Sequence, residues 1–65
     1  MIQLTRLNGH VFTLNAELIQ EIEATPDTIV TLTNGQKIMV REPVAEIRNA
    51  VVAYKHEIFR KLIGN

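Results

Sequence analysis

The sequence lacks both cysteine and serine. Without cysteine the chain can form neither a disulfide framework nor a thiolate metal site, which are the usual supports for domains shorter than roughly 70–80 residues. The two commonest catalytic nucleophiles are missing as well. A chain of 65 residues also buries only about 60% of the surface that its unfolded form exposes. Self-association is the remaining support, and we expect a homo-oligomer.

Glycine and proline are scarce, and no long apolar run is present. The chain has three glycines, two prolines and 46% apolar residues, which is the composition of a folded domain. No stretch approaches the ~20 apolar residues of a membrane span, and Met1-Ile2-Gln3 lacks the charged start of a secretory signal. We therefore expect one cytoplasmic domain over residues 1–65, with no membrane span.

Two Asn-Gly pairs, Asn8-Gly9 and Asn34-Gly35, lie between runs of alternating apolar residues. This pattern predicts two β-hairpins, because a type I′ turn requires positive φ at both central residues, which Asn and Gly tolerate best. We take the second hairpin, within residues 23–42, as the centre of the fold and expect a type I′ turn at Asn34-Gly35. The first hairpin is expected over residues 1–14.

A third strand is expected at residues 19–24, where apolar and acidic positions alternate. Asn15 before it can cap a single helical turn, and Thr25-Pro26-Asp27 after it predicts a chain reversal. Residues 1–42 are therefore expected to form a small antiparallel β-sheet of about five strands. The expected fold class is α+β, since one amphipathic helix follows the sheet.

That helix is expected from Pro43 to Ile63, because proline suits the first helical position and Gly64 is a natural stop. Apolar residues recur along it at spacings of three and four, which is typical of a helix that covers a sheet with one face. This first apolar row consists of Val44, Ile47, Val51, Tyr54, Ile58 and Leu62.

Val52, Phe59 and Ile63 form a second apolar row, and Arg48 and Lys55 lie between the two rows. At ~1.5 Å per residue the helix would be about 30 Å long, whereas strands of five or six residues span roughly 17–20 Å. Part of the helix therefore extends beyond the sheet, and a monomer has little with which to cover a second row. We expect this row to contact a second copy or a partner protein; the alternative is that the helix end packs loosely.

The sequence shows no catalytic, cofactor or metal constellation. His10 and His56 have no third ligand at a suitable spacing, and Gly9 and Gly35 each follow asparagine in a turn rather than forming a phosphate loop. We therefore expect a protein that is not an enzyme and that holds no metal or cofactor.

Neither sign of charge is in excess, since seven basic and seven acidic side chains cancel. The field of the whole molecule gives no argument for nucleic acid or an anionic membrane, and nucleic acid is not the partner we expect. Arg6 and Arg41, however, interrupt or end apolar strands. They could protect a sheet edge against aggregation, or they could form a binding edge for an acidic partner or a phosphate backbone.

Four stretches of the chain resemble, in order and spacing, the FlbD family of small bacterial flagellar proteins, also called the SwrD swarming-motility family. They are LTRLNG at residues 4–9, LNAELI at 14–19, IEATPDT at 22–28 and TLTNGQK at 31–37. The resemblance spans most of residues 1–42. The helix after Pro43 is less diagnostic of the family. Its extension through Phe59-Arg60-Lys61-Leu62-Ile63 makes it longer than the family pattern requires.

The resemblance implies a cytoplasmic, non-enzymatic accessory to flagellar motility. It supplies no catalytic residues, and the expected partner is a flagellar motor or assembly protein. A place at the cytoplasmic face of the motor is a hypothesis that follows from this association with motility.

An alternative resemblance is to the carbon storage regulator family of RNA-binding proteins, which also combines five strands with one helix. Met1 to Arg6 is similar to the opening of that family, and Val40-Arg41-Glu42 is similar to the segment that carries its second RNA-contacting arginine. Arg6 and Arg41 would then contact RNA. The chain departs from that family in its neutral charge, in lacking a Gly-rich central loop, and in carrying Pro43 where strand passes to helix.

Overall fold

The computed structural model describes residues 1–63. Within this range the chain forms five β-strands, one 3-10 turn and one α-helix. The strands are β1 (Ile2–Thr5), β2 (Val11–Leu14), β3 (Ile19–Glu23), β4 (Thr28–Leu32) and β5 (Lys37–Val40), and the helix α1 spans Val44–Leu62. The predicted α+β class, with about five antiparallel strands followed by one C-terminal helix, is confirmed.

The strands form two sheets rather than one. β1 pairs with β2, and β3, β4 and β5 pair in that order, all antiparallel. A single bridge between Arg6 and Val40 links the two sheets. The contact is short because β1 meets β5 only at its last residues, immediately before the chain turns back into β2.

The second hairpin does not turn through type I′, so that expectation was wrong. No residue other than glycine has positive φ within residues 1–63, and Gly35 alone in this loop has φ +89°. The Gly35 N–H donates to the Leu32 carbonyl at 2.9 Å, and the Asn34 side chain accepts from the Gln36 N–H at 2.9 Å. The Asn34 side chain thus mimics a backbone turn at negative φ, and the loop has the pattern of a type I turn followed by a left-handed glycine.

The first hairpin turns in the same way. The Gly9 N–H donates to the Arg6 carbonyl at 2.9 Å, the Asn8 side chain accepts from the His10 N–H at 2.9 Å, and Gly9 has φ +92°. The two Asn-Gly signals therefore predicted the hairpins correctly, and the same side-chain hydrogen bond selects the turn type in both.

The segment between the hairpins contains the predicted cap, turn and strand, but the strand ends at Glu23 and does not alternate strictly. The side chain of Asn15 accepts from the Glu17 N–H at 3.0 Å and caps a 3-10 turn at Ala16–Leu18. A register shift in β3 between Ile19 and Glu21 then breaks strict alternation. As a result, Ile19 and Ile22 both pack against the core although they are three residues apart.

The core lies between the inner faces of the two sheets and the first half of the helix. Its buried members are Ile2, Leu4, Leu14, Ala16, Val30, Leu32, Ile38, Val40 and Ile47. Leu4, Val30, Val40 and Ile47 are the largest side chains that are fully buried within the described residues. Each sheet therefore contributes to one shared core, and α1 adds one fully buried residue to it.

The helix begins one residue later than predicted, because Pro43 is its N-cap with extended backbone (φ −65°, ψ 154°). Within its first apolar row, Val44, Ile47, Val51 and Tyr54 are buried or half-buried, and α1 packs against β1. Ile58 and Leu62 are exposed, so the expectation that the whole row covers the sheet was wrong. The predicted stop at Gly64 lies outside the described residues.

The molecule is elongated because the end of the helix extends past the core. Its principal extents are 41 × 22 × 18 Å, and its radius of gyration is 12.5 Å, compared with about 11 Å for a compact domain of this length. We call residues 52–63 the distal helix. Tyr54 is its last residue that packs against the core.

Candidate interaction surfaces

The distal helix exposes a continuous apolar surface. At about 100° per residue, Ile58, Phe59, Leu62 and Ile63 fall within about 140° of the helix circumference. No charged side chain of residues 58–63 lies between them. Phe59 is 60% exposed, Leu62 79% and Ile63 56%. The two predicted rows, which Arg48 and Lys55 separate earlier in the helix, thus merge in its last two turns.

Val52 is also exposed, so all three residues of the predicted second row, Val52, Phe59 and Ile63, are uncovered within residues 1–63. Burying a large apolar side chain fully is worth about 1.5–3 kcal/mol. Several such side chains exposed close together form an apolar patch, which is more typical of an interaction surface than apolar residues scattered singly.

The second predicted site, the arginine pair, lies where the two sheets meet. The Arg6–Val40 bridge places Arg6 beside Arg41 across neighbouring strand ends, and both side chains are exposed. The Arg6 guanidinium lies over the Phe12 ring, with its central carbon 4.8 Å from the ring centroid. Part of its charge is therefore directed at an aromatic face.

Arg41 holds the first hairpin to the start of the helix. Its Nε and Nη2 atoms donate to the Leu7 carbonyl at 3.1 and 2.8 Å, and its backbone N–H donates to the Thr5 carbonyl at 2.8 Å. The adjacent Glu42 carboxylate accepts from the Thr5 N–H at 2.9 Å. We call this set of hydrogen bonds the clasp. Sequence reasoning singled out Arg41 but missed Glu42, whose role depends on a contact 37 residues away in the chain.

The clasp fixes the ionisation of Glu42. Partial burial removes water from the carboxylate and by itself raises the pKa. Hydrogen bonds from Thr5 and from its own backbone, together with the positive charge of Arg41, lower the pKa by more than burial raises it. The net pKa of Glu42 is below its ordinary value of 4.5. Glu42 is therefore held as a carboxylate, which is the form that accepts the Thr5 N–H.

A third surface, which sequence reasoning missed, is the outer face of the three-stranded sheet. The register places Glu21, Thr31 and Lys37 in one cross-strand row and Glu23, Ile29 and Met39 in the next. Because side chains alternate along a strand, these six point away from the core residues Val30, Ile38 and Val40. We call them the outer sheet face. The signal for it was the unbroken apolar run Ile38-Met39-Val40, which must place an apolar residue on each face.

The outer sheet face combines apolar and polar groups. Met39 is 48% exposed and Ile29 is half-buried. Thr31 is buried, with 7% exposure, and its hydroxyl has no hydrogen-bond partner within residues 1–63. A buried hydroxyl without a partner costs free energy, so this face leaves both apolar area and a hydrogen-bonding group unsatisfied.

Residues 1–63 contain no group of three or more His, Cys, Asp or Glu side chains that could hold a metal ion. No cavity is present in the part of the chain that the structure describes. Within residues 1–63, no helix is both long enough and apolar enough to cross a membrane.

These features define a small α+β domain that presents three surfaces: the distal helix, the arginine pair and the outer sheet face. Its sequence matches the pattern of the FlbD family, described as flagellar and swarming motility proteins, over residues 1–59. The chain belongs to this family, which confirms the resemblance and gives it a motility-related role. Neither a curated protein nor a solved structure matches it.

Proposed function

We propose that this protein is a non-enzymatic accessory of bacterial flagellar motility that acts by binding other protein chains at the cytoplasmic face of the motor. Membership of the FlbD family supports the link to motility. The exposed apolar surface of the distal helix is the observation that carries the binding role, because it extends beyond the core that α1 helps to form.

Val52, Phe59 and Ile63 form the contact in this proposal, and they serve both self-association and binding to a flagellar motor or assembly protein. A domain of this size has a small stability margin of roughly 3–5 kcal/mol. Covering Phe59 and Ile63 would add to that margin in the bound state, since anything that binds only the folded chain stabilises it.

Phe59→Asp tests this role, because it places a charge in the centre of the apolar surface. Ala53→Asp is the matched control, since Ala53 is exposed on a different face of the same helix. Cells carrying Phe59→Asp should swarm more slowly than wild type and lose the partner in a pull-down from motile cells analysed by mass spectrometry. Cells carrying Ala53→Asp should swarm at the wild-type speed and keep the partner.

Two results would contradict the proposal. One is unchanged swimming and swarming speed after deletion of the gene, which would remove the motility role. The other is full swarming and partner capture by a folded Phe59→Asp variant, which would leave motility but exclude the distal helix as the contact.

The arginine pair is a second candidate contact, for an acidic partner. In support of this contact, the β-bridge at Val40 brings the backbones of Arg6 and Arg41 close together, and both side chains are exposed. Because Arg41 also supports the clasp, Arg6→Ala is the cleaner variant and should weaken binding to an acidic surface without loosening the fold. An RNA gel shift at modest salt, with Arg6→Ala and Arg41→Ala beside wild type, tests the alternative that this edge binds RNA; no shift would exclude it.

A further inference from the structure

The distal helix is net positive, whereas the chain as a whole is neutral. Residues 52–63 hold three basic side chains, Lys55, Arg60 and Lys61, against one acidic side chain, Glu57. Residues 15–31 hold four acidic side chains and no basic one. The charge of the molecule is therefore segregated, with excess negative charge around β3 and excess positive charge along the exposed end of α1.

This segregation decides how two copies can meet. A helix-to-helix contact through the apolar surfaces would bring two net positive segments together, and like charges across an interface cost free energy.

The outer sheet face is complementary to the distal helix in having exposed apolar area and negative charge. Met39 and Ile29 offer apolar area, and Glu21 and Glu23 form an acidic border along β3. Lys37 is the one basic side chain of this face and lies on β5, at the opposite edge from that border. The unpartnered hydroxyl of the buried Thr31 lies between these groups. A sheet that carries apolar residues on both faces needs a layer on each, and the first hairpin and the start of α1 cover only the inner one.

We infer that the distal helix of one copy docks on the outer sheet face of a second copy. Phe59 and Leu62 lie against Met39 and Ile29, and Lys55, Arg60 and Lys61 lie beside the acidic border. The contact uses a different surface on each partner, so it closes when two copies dock reciprocally or when several form a ring. This inference rests on the proposed function, because it names the second copy as one occupant of the proposed helix contact.

Cysteine pairing tests the geometry directly, because the natural chain contains no cysteine. Leu62→Cys and Met39→Cys are made in chains with different tags, mixed and oxidised. Both positions are exposed in one copy, and each chain carries one thiol, so any disulfide joins two chains. The mixed disulfide should form at least about tenfold faster than the Leu62→Cys homodisulfide. Thr13→Cys on β2 replaces Met39→Cys in the control mixture and should not couple.

Charge reversal tests the complementarity. Glu21→Lys with Glu23→Lys should reduce the mass in analytical ultracentrifugation to the 7.4 kDa of one chain. The double variant Lys55→Glu with Arg60→Glu should also have the mass of one chain. Mixing the two double variants should restore association. Thr13→Lys, an exposed change outside both surfaces, should leave the mass unchanged. Circular dichroism identifies any variant that fails to fold, and the cysteine experiment then decides.

Three outcomes would overturn the inference: a wild-type chain that stays at the mass of one copy at micromolar to millimolar concentration, a Leu62→Cys homodisulfide that forms faster than the mixed one, or association that survives both charge reversals. None of these would overturn the proposed function if Phe59→Asp still slows swarming and loses the partner. In that case the helix would bind a different protein.

Discussion

The first half of α1, residues 44–51, and the distal helix, residues 52–63, are both rich in apolar residues, but their surroundings differ. Ile47 is fully buried among residues of both sheets, whereas Phe59 is 60% and Leu62 79% exposed. The periodic pattern is continuous across the two halves. Periodicity therefore shows which face of a helix is apolar, but the length of the sheet decides how much of that face the chain can cover by itself.

The largest expected difference between the halves is in stability. Ile47→Ala should lower the free energy of unfolding by about 3 kcal/mol, because it removes buried methylene groups and leaves a cavity. Phe59→Ala should change it by less than about 0.5 kcal/mol in dilute solution, where no second copy covers the ring. Urea unfolding followed by circular dichroism measures both. Equal losses would show that the distal helix packs on its own core.

A smaller effect is expected at the point where the helix is attached. Glu42→Gln should lower stability at neutral pH by about 1 kcal/mol, because a charged acceptor of the Thr5 N–H becomes a neutral one. The pKa of Glu42 is lower in the folded chain than its ordinary value of 4.5. Its contribution is therefore complete above about that value and is lost as the pH falls through the lower folded pKa.

The measurement is the urea midpoint of wild type and Glu42→Gln between neutral and acidic pH. The two curves should converge as the pH drops, because the wild-type carboxyl is then protonated as well. A constant separation between the curves down to the most acidic pH would show that the clasp does not depend on the charge of Glu42.

The smallest effect is expected on the polar side of the distal helix. Arg60 and Glu57 form an ion pair at 3.6 Å, with side chains 58% and 56% exposed. Exposed pairs of this kind contribute roughly 0–1 kcal/mol, so Glu57→Gln should leave thermal stability nearly unchanged. A clear loss in a thermal melt would mean that the end of α1 is more firmly ordered than its lack of core contacts indicates.

Much of the fold followed from local chemistry. The Asn-Gly pairs located both hairpins, Asn15 capped the short turn, and the apolar spacing after Pro43 located the helix. The turn type was harder to predict from the sequence. The Asn34 side chain accepts a hydrogen bond from the Gln36 N–H, which favours a type I turn over the expected type I′. The helix boundary differed by one residue because Pro43 supplies the cap and not the first turn.

The candidate surfaces were predictable to different degrees. Val52, Phe59 and Ile63 were identified from sequence because an apolar row has a recognisable period. The proximity of Arg6 and Arg41 required the bridge at Val40, and the part played by Glu42 required the approach of Thr5. Neither long-range contact leaves a local signal. The outer sheet face was missed because apolar residues in short strands were assigned to one core.

The separation of the apolar helix end from the core has an evolutionary consequence. Leu62 and Ile63 are 79% and 56% exposed, so in the proposed function a change in either would alter binding and leave the folding of the domain intact. With the distal helix as the proposed contact, single substitutions at this end would be enough for a lineage to exchange one binding partner for another. The first half of α1 differs, because a substitution near Ile47 would lower the stability of the whole domain.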